Sequence, residues 1–195
     1  MRIPTKHLAA ALAVSLCASP AFTAEQFKID PEHTMVVFFV DHFGYSNVFG
    51  RFNEFAGTFT FDPENVENSA IEMTIDAASV DTNHTRRDNH LRSPDFLNSE
   101  EFPEITFASK SVEKTGDKTG KVMGDITILG TTQPITLDVT FNKIAPHPIP
   151  SYNGAIVAGF SATAQLSRSA FGMTYAEGAV GDVLDLRFEV EGIQQ

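Results

Sequence analysis

The sequence predicts an all-β, antiparallel domain of about eight strands, and three observations carry the prediction. Apolar and polar residues alternate with a period of two after residue 30, turn-forming clusters separate the alternating runs, and no long run with a helical period is present. Strands with one dry and one wet face suit antiparallel sheets, whose outer side meets water, better than parallel ones. Strands at this spacing close into a barrel or stack as a sandwich, and patterning by itself does not select between the two.

In chain order, residues 1–24 read as a secretory leader. Arg2 and Lys6 precede a short apolar run at 8–16, too short to span a bilayer, and small residues follow it. A cut after Ala24 leaves one domain at 25–195. Cys17 is preceded by Leu16, where a lipoprotein signal needs a small residue, so cleavage removes the chain's one cysteine. Disulfides and thiolate chemistry are thereby excluded from the mature chain. Strands are expected at 27–30, 35–41 and 50–62, then a turn at Asp62-Pro63-Glu64-Asn65, then a strand at 71–76, where Ile71, Met73 and Ile75 alternate with Glu72, Thr74 and Asp76. Residues 82–97 form a helical excursion. Asp81 or Thr82 is the expected cap of a helix reaching about Leu91, and Ser93-Pro94 opens a last turn in which Phe96 and Leu97 anchor the segment on the sheet. Further strands are expected at 106–113, 122–129, 135–141, 156–166 and 184–190, with turns at 115–120 and 130–134. Three prolines within 146–150 make a stiff extended loop, read as spanning a mouth.

Without Arg2 and Lys6 the mature chain has 12 basic against 25 acidic side chains, a formal charge near −13. That balance argues against nucleic acid and against an anionic membrane surface as partners. No integral membrane segment is expected after the leader is removed. Enzyme motifs for serine hydrolysis, dinucleotides, phosphate loops and zinc helices are all absent. His84 and His90 are six apart and so not on one helical face, and His33 and His42 point to opposite faces of a regular strand. No metal site and no catalytic residue is therefore expected.

The tract SVDTNHTRRDNHLRSPDFLNSEEFP, residues 79–103, resembles the signature of the YceI-like family of bacterial polyisoprenoid-binding proteins. The likeness extends upstream through His33, Phe38, Val40, His42, Gly44, Ser46, Gly50 and Phe52. Downstream it takes in the run 124–134, then Ser167-Arg168, Phe171-Gly172 and Gly181-Asp182. It implies a lipocalin-like barrel rather than a sandwich, located in the periplasm. The G-x-W start of true lipocalins is missing, in keeping with a chain that has 17 phenylalanines and no tryptophan.

In such a barrel Phe38, Val40, Phe59, Phe61, Phe107, Ile126, Phe141, Phe160 and Phe188 are expected to line a lumen for an apolar tail. The alternative is a solid core filled by the same side chains. His42, Asn83, Arg87, Asp88, His90, Arg92 and Arg168 are the expected rim, where arginine suits a phosphate or carboxylate head. The competing reading is that Arg87, Asp88 and Arg92 form a salt-bridged knot, and Arg168 with Asp182 has the same ambiguity. The expected ligand is a long-chain amphipathic lipid, namely a polyisoprenoid, an isoprenoid quinone precursor or a fatty amide or acid, with no other cofactor. Two further readings stay open, an enzyme acting on such a lipid with His42 or His90 as base, and a docking protein with a solid barrel. Whether the chain forms a homodimer is also left open.

Overall fold

The computed structural model describes residues 24–195. The expected leader falls almost wholly outside the described residues. Eleven strands are present among them: β1 (Glu25–Ile29), β2 (Met35–His42), β3 (Ser46–Phe52), β4 (Phe55–Phe61), β5 (Ala70–Asp76), β6 (Val80–Asp81), β7 (Glu104–Lys114), β8 (Thr119–Ile128), β9 (Thr131–Pro146), β10 (Ile156–Ser167) and β11 (Val180–Gln194). The helix α1 spans Thr85–Arg92. The sheet runs β1-β4-β5-β7-β8-β9-β10-β11, and β1 pairs with β11, so eight antiparallel strands close into a barrel.

The extra three strands are continuations. Strand β2 follows β1 along β11, β3 precedes β4, and β6 follows β5, so β2-β3-β6 extends the wall at one end. The expected single strand at 50–62 is thus two strands. Its ladder breaks at Asn53 and Glu54, where the Asn53 N–H donates to the Ser79 carbonyl and the Glu54 carbonyl accepts from Asp76. The neighbouring breaks are held in the same way, by the Asp30 N–H on the Glu191 carbonyl and by Thr34 against Glu191.

One turn and the start of the helix differ from expectation. Only Leu129 and Gly130 make the turn expected at 130–134, with φ of 51° and 68°, and Thr131 onward is strand. Pro134 is tolerated there because β10 pairs with β9 only from Asp138 on, so this stretch of β9 is an edge. The helix begins later than expected, at Thr85. Asp81 is engaged with Arg51 and the Asn83 N–H, and Thr82 with Asp88, so the cap is His84, whose ring accepts from the Arg87 N–H. Asn83, at φ 60°, turns the chain into the helix. After Arg92 the segment makes hydrogen-bonded turns on the Ser93 and Asn98 carbonyls rather than a second helix.

One end of the barrel carries the connections 62–69, 115–118 and 147–155. The other carries the β2–β3 tip, the 82–103 excursion and the 168–179 segment.

Candidate functional site

The inward positions of the closed sheet enclose an apolar lumen of about 370 Å³ that runs from one end of the barrel to the other. The structure places Phe38, Val40, Phe59, Phe61, Phe107, Ile126, Phe141, Phe160 and Phe188 around this space. Sequence reasoning missed part of the lining, including Met73, Ile75, Ile105 and Ile135, although their period-two spacing carried the signal.

The barrel keeps a cavity despite so many aromatic rings because glycines on facing strands let the rings lie against the wall. A Cβ built on Gly50 falls 2.1 Å from the Phe38 ring, one on Gly192 falls 2.3 Å from Phe59, and one on Gly124 falls 2.7 Å from Phe107. Each ring occupies the place a side chain would take, so it does not cross the lumen. Phe59, Phe61, Phe141 and Phe160 pack on one another with centroids 5.1–5.6 Å apart, and Phe27 stacks on Phe59 at 4.9 Å. This cluster forms one side of the lumen.

The two ends differ. At the helical end the lining residues Val80, Phe96, Arg168 and Met173 are buried, with Leu91 and Leu97 beside them. Arg168 is 4% exposed and donates from Nε to the Gly181 carbonyl, from Nη1 to the Met173 and Tyr175 carbonyls, and from Nη2 to the Val180 carbonyl. Its charge therefore serves to gather the 173–181 segment over the end of the barrel. Asp182 does not pair with it through side chains. Its carboxyl accepts from the Ser167 hydroxyl and the Ser169 N–H, which hold it below the usual carboxylate range.

The other six rim candidates do not line the lumen. Arg87 donates to the Thr82 hydroxyl and carbonyl, Asp88 accepts from the Thr82 N–H and hydroxyl, and Arg92 donates to the Ala78 and Val80 carbonyls and to Asn89. These groups form a knot of hydrogen bonds to backbone and threonine, without the salt bridges of the competing reading. His90 binds Asp95 at 2.8 Å and packs edge-on against Phe96 and Tyr175, Asn83 sits in its turn, and His42 packs edge-on against Phe43 at the exposed strand end.

At the opposite end the lumen is lined by Pro63, Val66 and Ser69 and by exposed residues of the β7–β8 hairpin, among them Lys114, Asp117 and Lys118. Exposed side chains along the lining mean that the lumen reaches solvent here. The proline-rich loop lines a separate cavity of about 270 Å³ with His33, Asn142 and Glu191. His147 stacks on Tyr152 at 3.7 Å, and the Asp30 carboxylate, 2.7 Å from His33, raises the pKa of that imidazole. Among the described residues no three His, Asp or Glu side chains converge as metal ligands would.

A family model described as a YceI-like domain matches residues 27–192. Protein YceI of Escherichia coli O6:H1 is 42% identical over 174 residues, covering 88% of each chain. Among solved structures, a YceI protein of Campylobacter jejuni superposes with a TM-score of 0.70 at 33% identity, over 77% of this chain and 86% of that one. A polyisoprenoid binding domain from Saccharophagus degradans, implicated in plant cell wall breakdown, shares the fold with a TM-score of 0.65 at 10% identity, over 89% of this chain and all of that one.

Proposed function

Because the chain belongs to the YceI-like family, we propose that it binds one long-chain amphipathic lipid in its barrel and carries or shelters it, without turning it over, after export to the periplasm. The observation that carries this reading is the lumen, which is continuous along the barrel and apolar between its two ends. Burying each methylene of a ligand is worth about 0.8 kcal/mol, so an extended hydrocarbon is held firmly without any strong polar contact. A polyisoprenoid, an isoprenoid quinone precursor, or a fatty acid or amide meets that requirement. The Saccharophagus domain of the same fold is a polyisoprenoid binding domain, which is in keeping with this ligand class. Export is supported by the leader-like residues 1–24, and no helix among the described residues is long and apolar enough to cross a membrane.

The test is calorimetric titration of the delipidated protein with prenyl alcohols of increasing length. Affinity rises with each added isoprene unit until the lumen is filled and then levels. Affinity independent of chain length contradicts the proposal.

A further inference from the structure

We infer that the lumen opens between the 62–69 connection and the β7–β8 hairpin, opposite the helical tract, and that Lys114 and Lys118 there receive an anionic head group, a carboxylate or a phosphate. The inference deepens the carrier reading and rests on it.

The direction of opening follows from burial along the lining. The helical end is closed by buried Phe96, Arg168 and Met173, with every donor nitrogen of Arg168 on a backbone carbonyl. The exposed residues of the lining lie at the far end, from Glu113 through Thr119.

The choice of head group follows from a β-bulge. In β7 the inward residues are at first Ile105 and Phe107, opposite the inward Ile126 of β8. The register then shifts between Ser109 and Ser111, placing Lys110 as the extra residue. Beyond the shift the inward set becomes Val112 and Lys114, opposite Val122 and Gly120, while Glu113, opposite Lys121, takes the outward position and borders the lumen only at its open edge. An unbulged strand would have turned Glu113 inward; bulges characteristically re-aim side chains in this manner. The residue across from Lys114 is Gly120, where a Cβ would fall 2.8 Å from the Glu113 carbonyl, so the two strands close tightly at this pair.

The lysines of the outer face are neutralised, Lys110 by Asp125 and Lys121 by Asp138, each at 2.6 Å. Lys114 and Lys118 have no carboxylate within ion-pairing distance among the described residues. Glu113 beside Lys114, Asp117 in the same turn, and Glu64 and Glu67 on the neighbouring connection are exposed acids that limit the preference without removing it. A lipid entering tail first thus leaves its head beside two free ammonium groups at the edge of an apolar tube.

The test compares matched ligands on the delipidated protein: geranylgeranyl monophosphate against geranylgeraniol, and palmitate against hexadecanol. The expected result is tighter binding of the anionic member, by about ten-fold. That preference falls to near unity in Lys114→Gln/Lys118→Gln, with alcohol affinity unchanged, and persists in Lys110→Gln/Lys121→Gln, which removes the same charge from the outer face of the same hairpin. Preference in only one of the two pairs identifies the head as phosphate or as carboxylate and supports the inference. Equal binding of acid and alcohol by the native protein overturns it while leaving the carrier reading standing. A preference that survives in Lys114→Gln/Lys118→Gln overturns it as well. Failure of the native protein to bind any of the four overturns both.

Discussion

Asp81 accepts from the Asn83 N–H and from Arg51 and Asn53, and these bonds pull its pKa down to about 2. Asp62, Asp182 and Glu189 are also held below their ordinary values, chiefly by the Asn65 N–H, the Ser167 hydroxyl and the Ser161 hydroxyl respectively. A depressed folded-state value means that the unfolded chain binds protons first as pH falls. The stability these groups contribute is present above the ordinary carboxylate range and is lost as pH falls through their lowered folded values, about 2 for Asp81. His33 has the opposite sign. Its raised value contributes stability below about pH 6.5 that is lost as pH rises through the folded pKa. Urea denaturation across pH tests this, and Asp81→Asn is expected to show a shallower acid decline than the native chain. An unchanged decline would refute the role given to Asp81. At this scale the sequence was least informative about the helical tract. Arg87, Asp88 and Arg92 stood out as polar candidates, but whether their atoms met a ligand or a carbonyl depended on the irregular backbone at 78–84, which no periodicity encodes.

At the scale of elements, the pairing of glycine with phenylalanine keeps the lumen hollow. In Gly50→Ala the three atoms nearest the new methyl all belong to the ring of Phe38, which has to swing inward. The expected outcome is a loss of about 1–3 kcal/mol of stability together with a shorter maximum prenyl length in the titration. Gly159→Ala is the comparison. Its Cβ has no neighbour nearer than 3.9 Å, so both quantities stay close to native values. Native-like behaviour of Gly50→Ala would show that the ring position does not set the lumen. Most strands were legible because each buries one face, and period two survives wherever that holds, as at 71–76 and 184–190. What the pattern did not disclose were interruptions. The break at Asn53 and Glu54 is satisfied by bonds to Ser79 and Asp76, at the end of β5 and in the turn after it, and the bulge that turns Lys114 inward lies in the unremarkable triplet Ser109-Lys110-Ser111.

For the whole molecule, closure of β1 on β11 turns a row of alternating strands into a tube. The period-two pattern gave strands such as 71–76 and 184–190 one dry and one wet face without saying which faces of every strand look inward, and the family resemblance favoured a barrel. Whether nine inward side chains fill that barrel or line a space within it depended on ring orientation, which the glycines decide. A lumen of about 370 Å³ falls within the range of small-molecule sites, about 300–1,000 Å³. Its apolar lining would favour the transfer of a hydrocarbon out of water, and ligand bound only to the folded state raises apparent stability by mass action. The most direct measurement is native mass spectrometry of the protein purified from a bacterial periplasm, with extraction and mass analysis of whatever accompanies it. The expected result is a discrete long-chain lipid at close to one per protein, replaceable by an added prenyl lipid after stripping. A protein that emerges bare, and stays bare when offered that lipid, would contradict it.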